Sequence, residues 1–182
     1  MKALLDACVL YPTVMREVLL GVAAEGLYEP LWSPRILEEW ARAAAKLGSG
    51  QEVLARGEIA AVEARFPKAS VRPREGDEAR LWLPDVHDVH VLAAAIAGSA
   101  DVLVTLNIAD FPRHTLAEEG ITREGPDLFL RDLWAAHPAV VAGVAEAVRA
   151  EAERLSGEAW PIRKLMKKAR LPRLGKALEA AG

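Results

Sequence analysis

Two kinds of apolar run alternate along the chain. Ala3-Leu4-Leu5 and Val102-Leu103-Val104 are short, unbroken and closed by polar residues, the form taken by strands buried on both faces. The first, residues 1–5, is too short for a helix before Tyr11-Pro12 breaks the chain. Glu29-Pro30-Leu31-Trp32 predicts a second strand, Ser70-Val71-Arg72 a brief one, and Ile121-Thr122-Arg123 a weak one at the far end. Between them, apolar residues recur at helical spacing. Thr13 is placed to N-cap a helix over residues 14–24, with Val14, Val18, Leu19 and Val22 on one face and Gly26 as its stop. Ser33-Pro34 is a strong helix start, because serine caps and proline gives up only a donor that would be orphaned anyway. A further helix over residues 52–65 has Val53, Ile59 and Val62 as anchors. Residues 86–98 are almost all alanine and valine after the first few, so that helix must press closely on a sheet. Pro126-Asp127 opens another, and the remainder reads as helices broken at Pro138, at residues 157–161 and at Pro172.

Strands alternating with helices imply parallel pairing through right-handed crossovers. The expected fold is α/β, a three-layer sandwich with a short central parallel sheet of about four or five strands flanked by helices. A helical C-terminal extension follows, dividing the chain into a domain over residues 1–136 and an extension over 137–182. Ligands in such sheets bind beyond the carboxyl ends of the strands, where strand order reverses. Asp6 and Asn107 both fall at carboxyl ends.

Composition narrows the classes. A chain of 182 residues that is 52% hydrophobic, with five tryptophans, has the material for a full core. The single cysteine, Cys8, excludes an internal disulfide framework and a cysteine-rich zinc site. No apolar run approaches the ~20 residues that cross a bilayer, and the apolar start is too short for a signal-peptide core, so a soluble cytoplasmic protein is expected. Charge is uneven. Residues 159–182 hold seven basic residues against one acid, a net +6, leaving −9 on the rest. An acidic body suits cations, and a basic tail suits phosphate or simply a solvated pair of amphipathic helices.

The candidate chemistry lies in acids and amides near element ends. A carboxylate on Asp6, closing a buried strand, is costly unless a cation or donors compensate it. Asp85 sits where a helix cap belongs, which leaves Asp88, three residues on, without that explanation. Glu38 has Arg42 at i+4 whereas Glu39 has Ala43, a slight preference for Glu39 as a site residue. Thr105, Asn107 and Asp110 follow the strand at 102–104, where turn chemistry is the alternative to a ligand role. His87 and His90 form a His-x-x-His pair, but no third partner stands at metal spacing, so His90 is expected to pack beside the site or to bond an acid. Cys8 has nothing near it in sequence that marks a nucleophile, and a packing role is expected.

Several blocks in this order resemble a PIN-domain ribonuclease of the VapC-toxin type. Leu4-Leu5-Asp6-Ala7-Cys8 resembles the opening strand and its metal-binding aspartate, and Trp32-Ser33-Pro34 through Glu38-Glu39 resembles the second acidic block, in a register that selects Glu39. Pro84-Asp85-Val86-His87-Asp88 with the alanine-rich helix after it resembles the central acidic block and selects Asp88; Leu103-Val104-Thr105-Leu106-Asn107 and Asp110-Phe111 resemble the last. The likeness spans about residues 2–130, and the helices after Pro138 resemble the extension of one bacterial subgroup. Two positions depart from the pattern: Cys8 replaces a small polar residue, and Asn107 replaces a common fourth aspartate. An amide oxygen can ligate a hard cation but brings no charge. Asp110 is placed to supply it.

The resemblance implies a Mg²⁺- or Mn²⁺-dependent endoribonuclease, with Asp6, Glu39, Asp88 and Asp110 catalytic, Asp6, Asp88 and Asp110 on the metal, and Thr105 and Asn107 positioning substrate. It also implies the toxin half of a type II toxin–antitoxin pair: RNA as substrate, a small antitoxin protein as inhibitor, a homodimer, and no membrane. Two rivals stand beside it. An aspartyl phosphatase would need a second aspartate two residues after the first, where Cys8 stands. A PIN-like protein that binds RNA or a partner with little or no catalysis is the other, and Asn107 is the residue that favours it.

Overall fold

The computed structural model describes residues 1–181. They build two compact units, grouped by packing rather than by a linear split at residue 136. One takes residues 1–11 and 28–124; the other takes residues 12–27 with everything from 125 onward.

The first unit is built on a four-stranded parallel sheet ordered β2-β1-β3-β4, with β1 Lys2–Leu5, β2 Glu29–Leu31, β3 Val102–Val104 and β4 Thr122–Glu124. β1 lies in the middle because Ala3, Leu4 and Leu5 have no polar side chain to present and are fully buried. It pairs Leu4 with Leu31 on one side and Leu5 with Val104 on the other. The chain crosses from β1 to β2 in one direction and places β3 and β4 in the other, so strand order reverses between β1 and β3. That reversal opens a crevice at their carboxyl ends.

Helix α1, Ala7–Leu10, turns directly off β1, and α3, Pro34–Ala45, begins as its sequence predicts, Ser33 Oγ accepting from the Ile36 amide at 3.2 Å. The Ala/Val-rich segment divides. Residues Val86–Asp88 form a 3₁₀ turn capped by the Asp85 carboxylate, which accepts from the His87 amide at 2.8 Å. Helix α5, Val89–Ala97, then packs on β1 and β3, with every residue from Val89 to Ala95 buried. Helices α4, Gln51–Arg65, and α6, Arg113–Glu118, complete the unit.

Three expectations are corrected. Ser70-Val71-Arg72 forms no strand: only Ser70 bridges Trp32, so the sheet ends at β2. Val53 is no anchor of α4 but is 74% exposed, because Ala55 and Val62 define the buried face two residues, about 200°, away from it. Thr13 is the first residue of its helix, α2 Thr13–Ala24, and Pro12 holds the cap position.

In the second unit α2 packs on α8, Pro138–Ser156, and on α7, Pro126–Ala136. The α2–α8 approach depends on Gly21, where a Cβ would stand 2.5 Å from Val144 Cγ1. The unit ends in a helical hairpin, α9 Ile162–Lys168 and α10 Pro172–Ala181. Asp127 on α7 caps α10, accepting from the Arg173 and Leu174 amides at 3.0 Å.

Candidate active site

The crevice between β1 and β3 gathers side chains from four stretches of sequence. Asp6 leaves the end of β1 with only 4% exposure, its amide donating to the Val104 carbonyl at 3.2 Å. Its Oδ2 accepts the hydroxyl of Thr105, the residue after β3, at 2.6 Å. Thr105 Oγ1 in turn accepts from the Asn107 amide at 2.9 Å. Cys8 closes the group: Sγ donates to Asp6 Oδ2 at 3.0 Å, lies 3.4 Å from Thr105 Oγ1, and accepts from the Leu106 amide at 3.2 Å. Burial first, then the negative charge of Asp6, pushes the Cys8 thiol up to about 12. It is a hydrogen-bond donor to the aspartate and no nucleophile.

Asp88 comes from the 3₁₀ turn before α5, half-buried. Its carboxyl is pushed up to about 6, by burial first and then by the charges of Asp6, Asp85 and Asp110. Asp88 therefore lies within electrostatic reach of Asp6, Asp85 and Asp110. Asp110 ends the 3₁₀ turn Ile108–Asp110, and Asn107, at its start, is exposed. Glu38 and Glu39 part company. The Arg56 and Arg42 guanidiniums hold Glu38 below the ordinary carboxylate range, at 2.9 Å and 3.1 Å. Glu39 Oε1 instead lies 2.8 Å from Nε2 of buried His90. That approach lacks hydrogen-bond geometry, and Nδ1 of the same ring has no hydrogen-bond partner either. His90 meets an acid, one of the two roles expected of it.

Two residues were not singled out from sequence. Trp82, 67% exposed, lines an open hollow of about 620 Å³ with Asp85, His87 and Asp110. Its signal was a tryptophan in a proline-bearing loop, outside any apolar period. Arg35 stands 3.7 Å from Glu39 and 3.5 Å from Glu78. With Glu39 at i+4 it is in the weaker orientation for a helical pair, which was the available hint.

The model of the PIN-domain family matches residues 2–109, more than half of the chain. The chain belongs to the PIN-domain family. The matched span takes in Asp6, Glu39, Asp88, Thr105 and Asn107 and stops one residue before Asp110. No curated protein and no solved structure gives a match. A PIN domain is a nuclease fold, which makes this chain a hydrolase in broad class, and PIN domains typically work with divalent metals.

The donor types here suit such an ion. Asp6, Asp88 and Asp110 present carboxylate oxygens, the donors hard cations prefer, and their mutual repulsion at Asp88 is the excess of negative charge a cation would neutralise. Among the described residues no group of three or more histidine, cysteine, aspartate or glutamate side chains is placed to hold a metal ion by itself. Mg²⁺ does not require one, since it keeps several waters and is held through one or two carboxylates plus substrate phosphate. No helix among the described residues is long and apolar enough to cross a membrane.

Proposed function

We propose that this PIN domain is a Mg²⁺- or Mn²⁺-dependent endoribonuclease, hydrolysing RNA phosphodiester bonds as the toxin component of a type II toxin–antitoxin pair. The observation that carries the reading is the raised carboxyl of Asp88 amid Asp6 and Asp110, at the crevice where strand order reverses. Asp6, Asp88 and Asp110 would hold the ion, which when bound supplies charge neutralisation and polarisation of the phosphodiester. Thr105 fixes the Asp6 carboxylate through its hydroxyl, and Cys8 holds the same oxygen from the other side. Asn107 offers an uncharged amide where a further carboxylate would add repulsion against phosphate. Glu39, partly exposed beside His90, is a proton acceptor within reach of solvent. The hollow beside Trp82 gives an unpaired base a surface to stack on.

The toxin role brings a small antitoxin whose basic side chain would enter the acidic crevice, and a homodimeric state. Co-purification with the product of an adjoining short gene and sedimentation of the purified protein test these separately. For the chemistry, purified protein should cut a structured RNA only with Mg²⁺ or Mn²⁺, and Asp6→Asn or Asp88→Asn should lower the rate by about 100-fold or more. Cleavage that persists in excess chelator would overturn the metal mechanism. The second reading, a PIN domain that binds RNA or a partner without cutting, is favoured by Asn107 and would be recognised by RNA binding in Mn²⁺ with no product.

A further inference from the structure

The basic tail differs from the long helix before it. On α8 the arginines are neutralised: Arg149 is paired with Glu146 and Glu153, and Arg154 with Glu151 at 2.6 Å. Among the described residues of the α9–α10 hairpin only Arg163 has such a partner, Glu179 at 2.6 Å. Among the described residues Lys164, Lys167, Lys168, Arg170, Arg173 and Lys176 are exposed and have no carboxylate partner. Six like charges on two short helices repel one another, a cost that a structural hairpin has no reason to carry.

The backbone supplies an independent sign. α9 ends in a Schellman turn, the Leu171 amide donating to the Met166 carbonyl at 2.8 Å and the Arg170 amide to the Lys167 carbonyl at 3.1 Å. This turn needs a left-handed residue, and Arg170 provides it at φ +61°. After α2, α6 and α8 the same need is met by Gly26, Gly120 and Gly157, and after α5 by the small Ser99 at φ +52°. Glycine would be cheaper at position 170 as well, and the side chain is exposed, so packing does not explain the arginine. What it adds is a guanidinium at the hairpin tip.

Beside the tip, Lys168 Nζ and Lys164 Nζ lie over the Trp160 ring at 4.6 Å and 5.6 Å, one helical turn apart. The ring is anchored by its Nε1 donating to Ser156 Oγ at 3.0 Å. It borders a hollow of about 350 Å³, whose walls include Val14, Ala152 and Leu165. The ammonium groups are thus held in place before any ligand arrives.

From these features we propose that the α9–α10 hairpin is a binding surface for single-stranded RNA, with Lys164, Lys168 and Arg170 on successive phosphates and a base at the Trp160 hollow. Membrane docking is disfavoured by the hairpin's apolar side chains, since Leu165, Met166, Leu171, Leu174 and Leu178 are buried and leave nothing to insert. An aromatic wall with a hollow suits an unpaired base better than a duplex. The proposal rests on the nuclease reading only for the choice of RNA over DNA.

The test uses the full chain and a fluorescent oligouridine, with affinity measured against salt concentration in chelator so that cutting cannot interfere. The double variant Lys164→Gln with Lys168→Gln should lower the log–log salt slope by about 1.4, or about 0.7 for each lost phosphate contact. Arg170→Gly should lower it by about 0.7 while raising Tm, a combination that a purely structural residue cannot give. Parent slopes in the folded variants, or tight binding of anionic vesicles without RNA binding, would overturn the proposal. Cleavage by the parent in Mn²⁺ is scored separately: hairpin-dependent binding without cleavage leaves this surface standing and removes the nuclease reading, and cleavage with unchanged slopes does the reverse.

Discussion

Thr105 has no exposed surface, yet its hydroxyl joins the two strand ends that make the crevice, donating to Asp6 and accepting from the Asn107 amide. Thr105→Val keeps the shape and removes both bonds, leaving the buried Asp6 carboxylate with the Cys8 thiol alone and the Asn107 amide without its acceptor. The expected cost is about 1–3 kcal/mol of stability and about 10–100-fold in Mn²⁺ affinity, read by melting and by titration, with Thr105→Ser restoring most of both. Cys8 gives a second test at this scale. With its thiol pushed up to about 12, the folded protein should resist iodoacetamide at mildly alkaline pH and react promptly once denatured. Rapid alkylation of the native chain would contradict the donor role given to Cys8. Asp6 and Thr105 were legible in sequence because strand ends are marked by the stop of an apolar run. The contact of Glu39 with His90 was not, because it joins two helices whose relative placement no local spacing encodes.

Elements were most legible where burial left the sequence little choice. β1, β3 and α5 are buried nearly throughout, and their apolar runs announced them. The weak β4 was also visible, though its residues are only partly buried. Failure came where an apolar residue faces water: Val53 supplied an apparent anchor to α4, while the buried face carries the expected Val62 and the smaller Ala55. Ser70-Val71-Arg72 failed for another reason, since strand-like residues with a single bridge cannot sustain a ladder. The glycine at the α2–α8 approach is an element-scale constraint that can be measured. Gly21→Val should overpack this contact and cost about 1–3 kcal/mol in a denaturant melt, and a companion Val144→Ala should recover much of the loss. Additive effects of the two substitutions would show that the helices do not meet there as described.

At the scale of the whole molecule, the carboxylates make stability depend on pH and metal together. Asp88 holds its proton more tightly in the folded chain, at about 6 against an ordinary 3.8, so between those values the folded state binds more protons than the unfolded one. Stability from this group is therefore full below 3.8 and is lost as pH rises through about 6. A cation favours the ionised form. Mn²⁺ should consequently raise Tm more at about pH 7.5 than at about pH 5, and an equal shift at both would separate metal binding from Asp88. The charge asymmetry was plain in sequence, and so was the existence of a helical tail. The interleaving of the two units was not, because it depends on α2 packing with helices made far later in the chain.

That interleaving has a consequence on the ribosome. Gly21 is translated more than a hundred residues before Val144, its partner across the α2–α8 contact. At ordinary elongation rates α2 must wait roughly 6–25 s for the surface that buries it. The sheet and the acidic crevice are completed within that interval, when β4 is translated. A nascent chain of this protein thus carries its finished sheet past the exit tunnel with one apolar helix still uncovered, and that helix is where a ribosome-bound chaperone would find it.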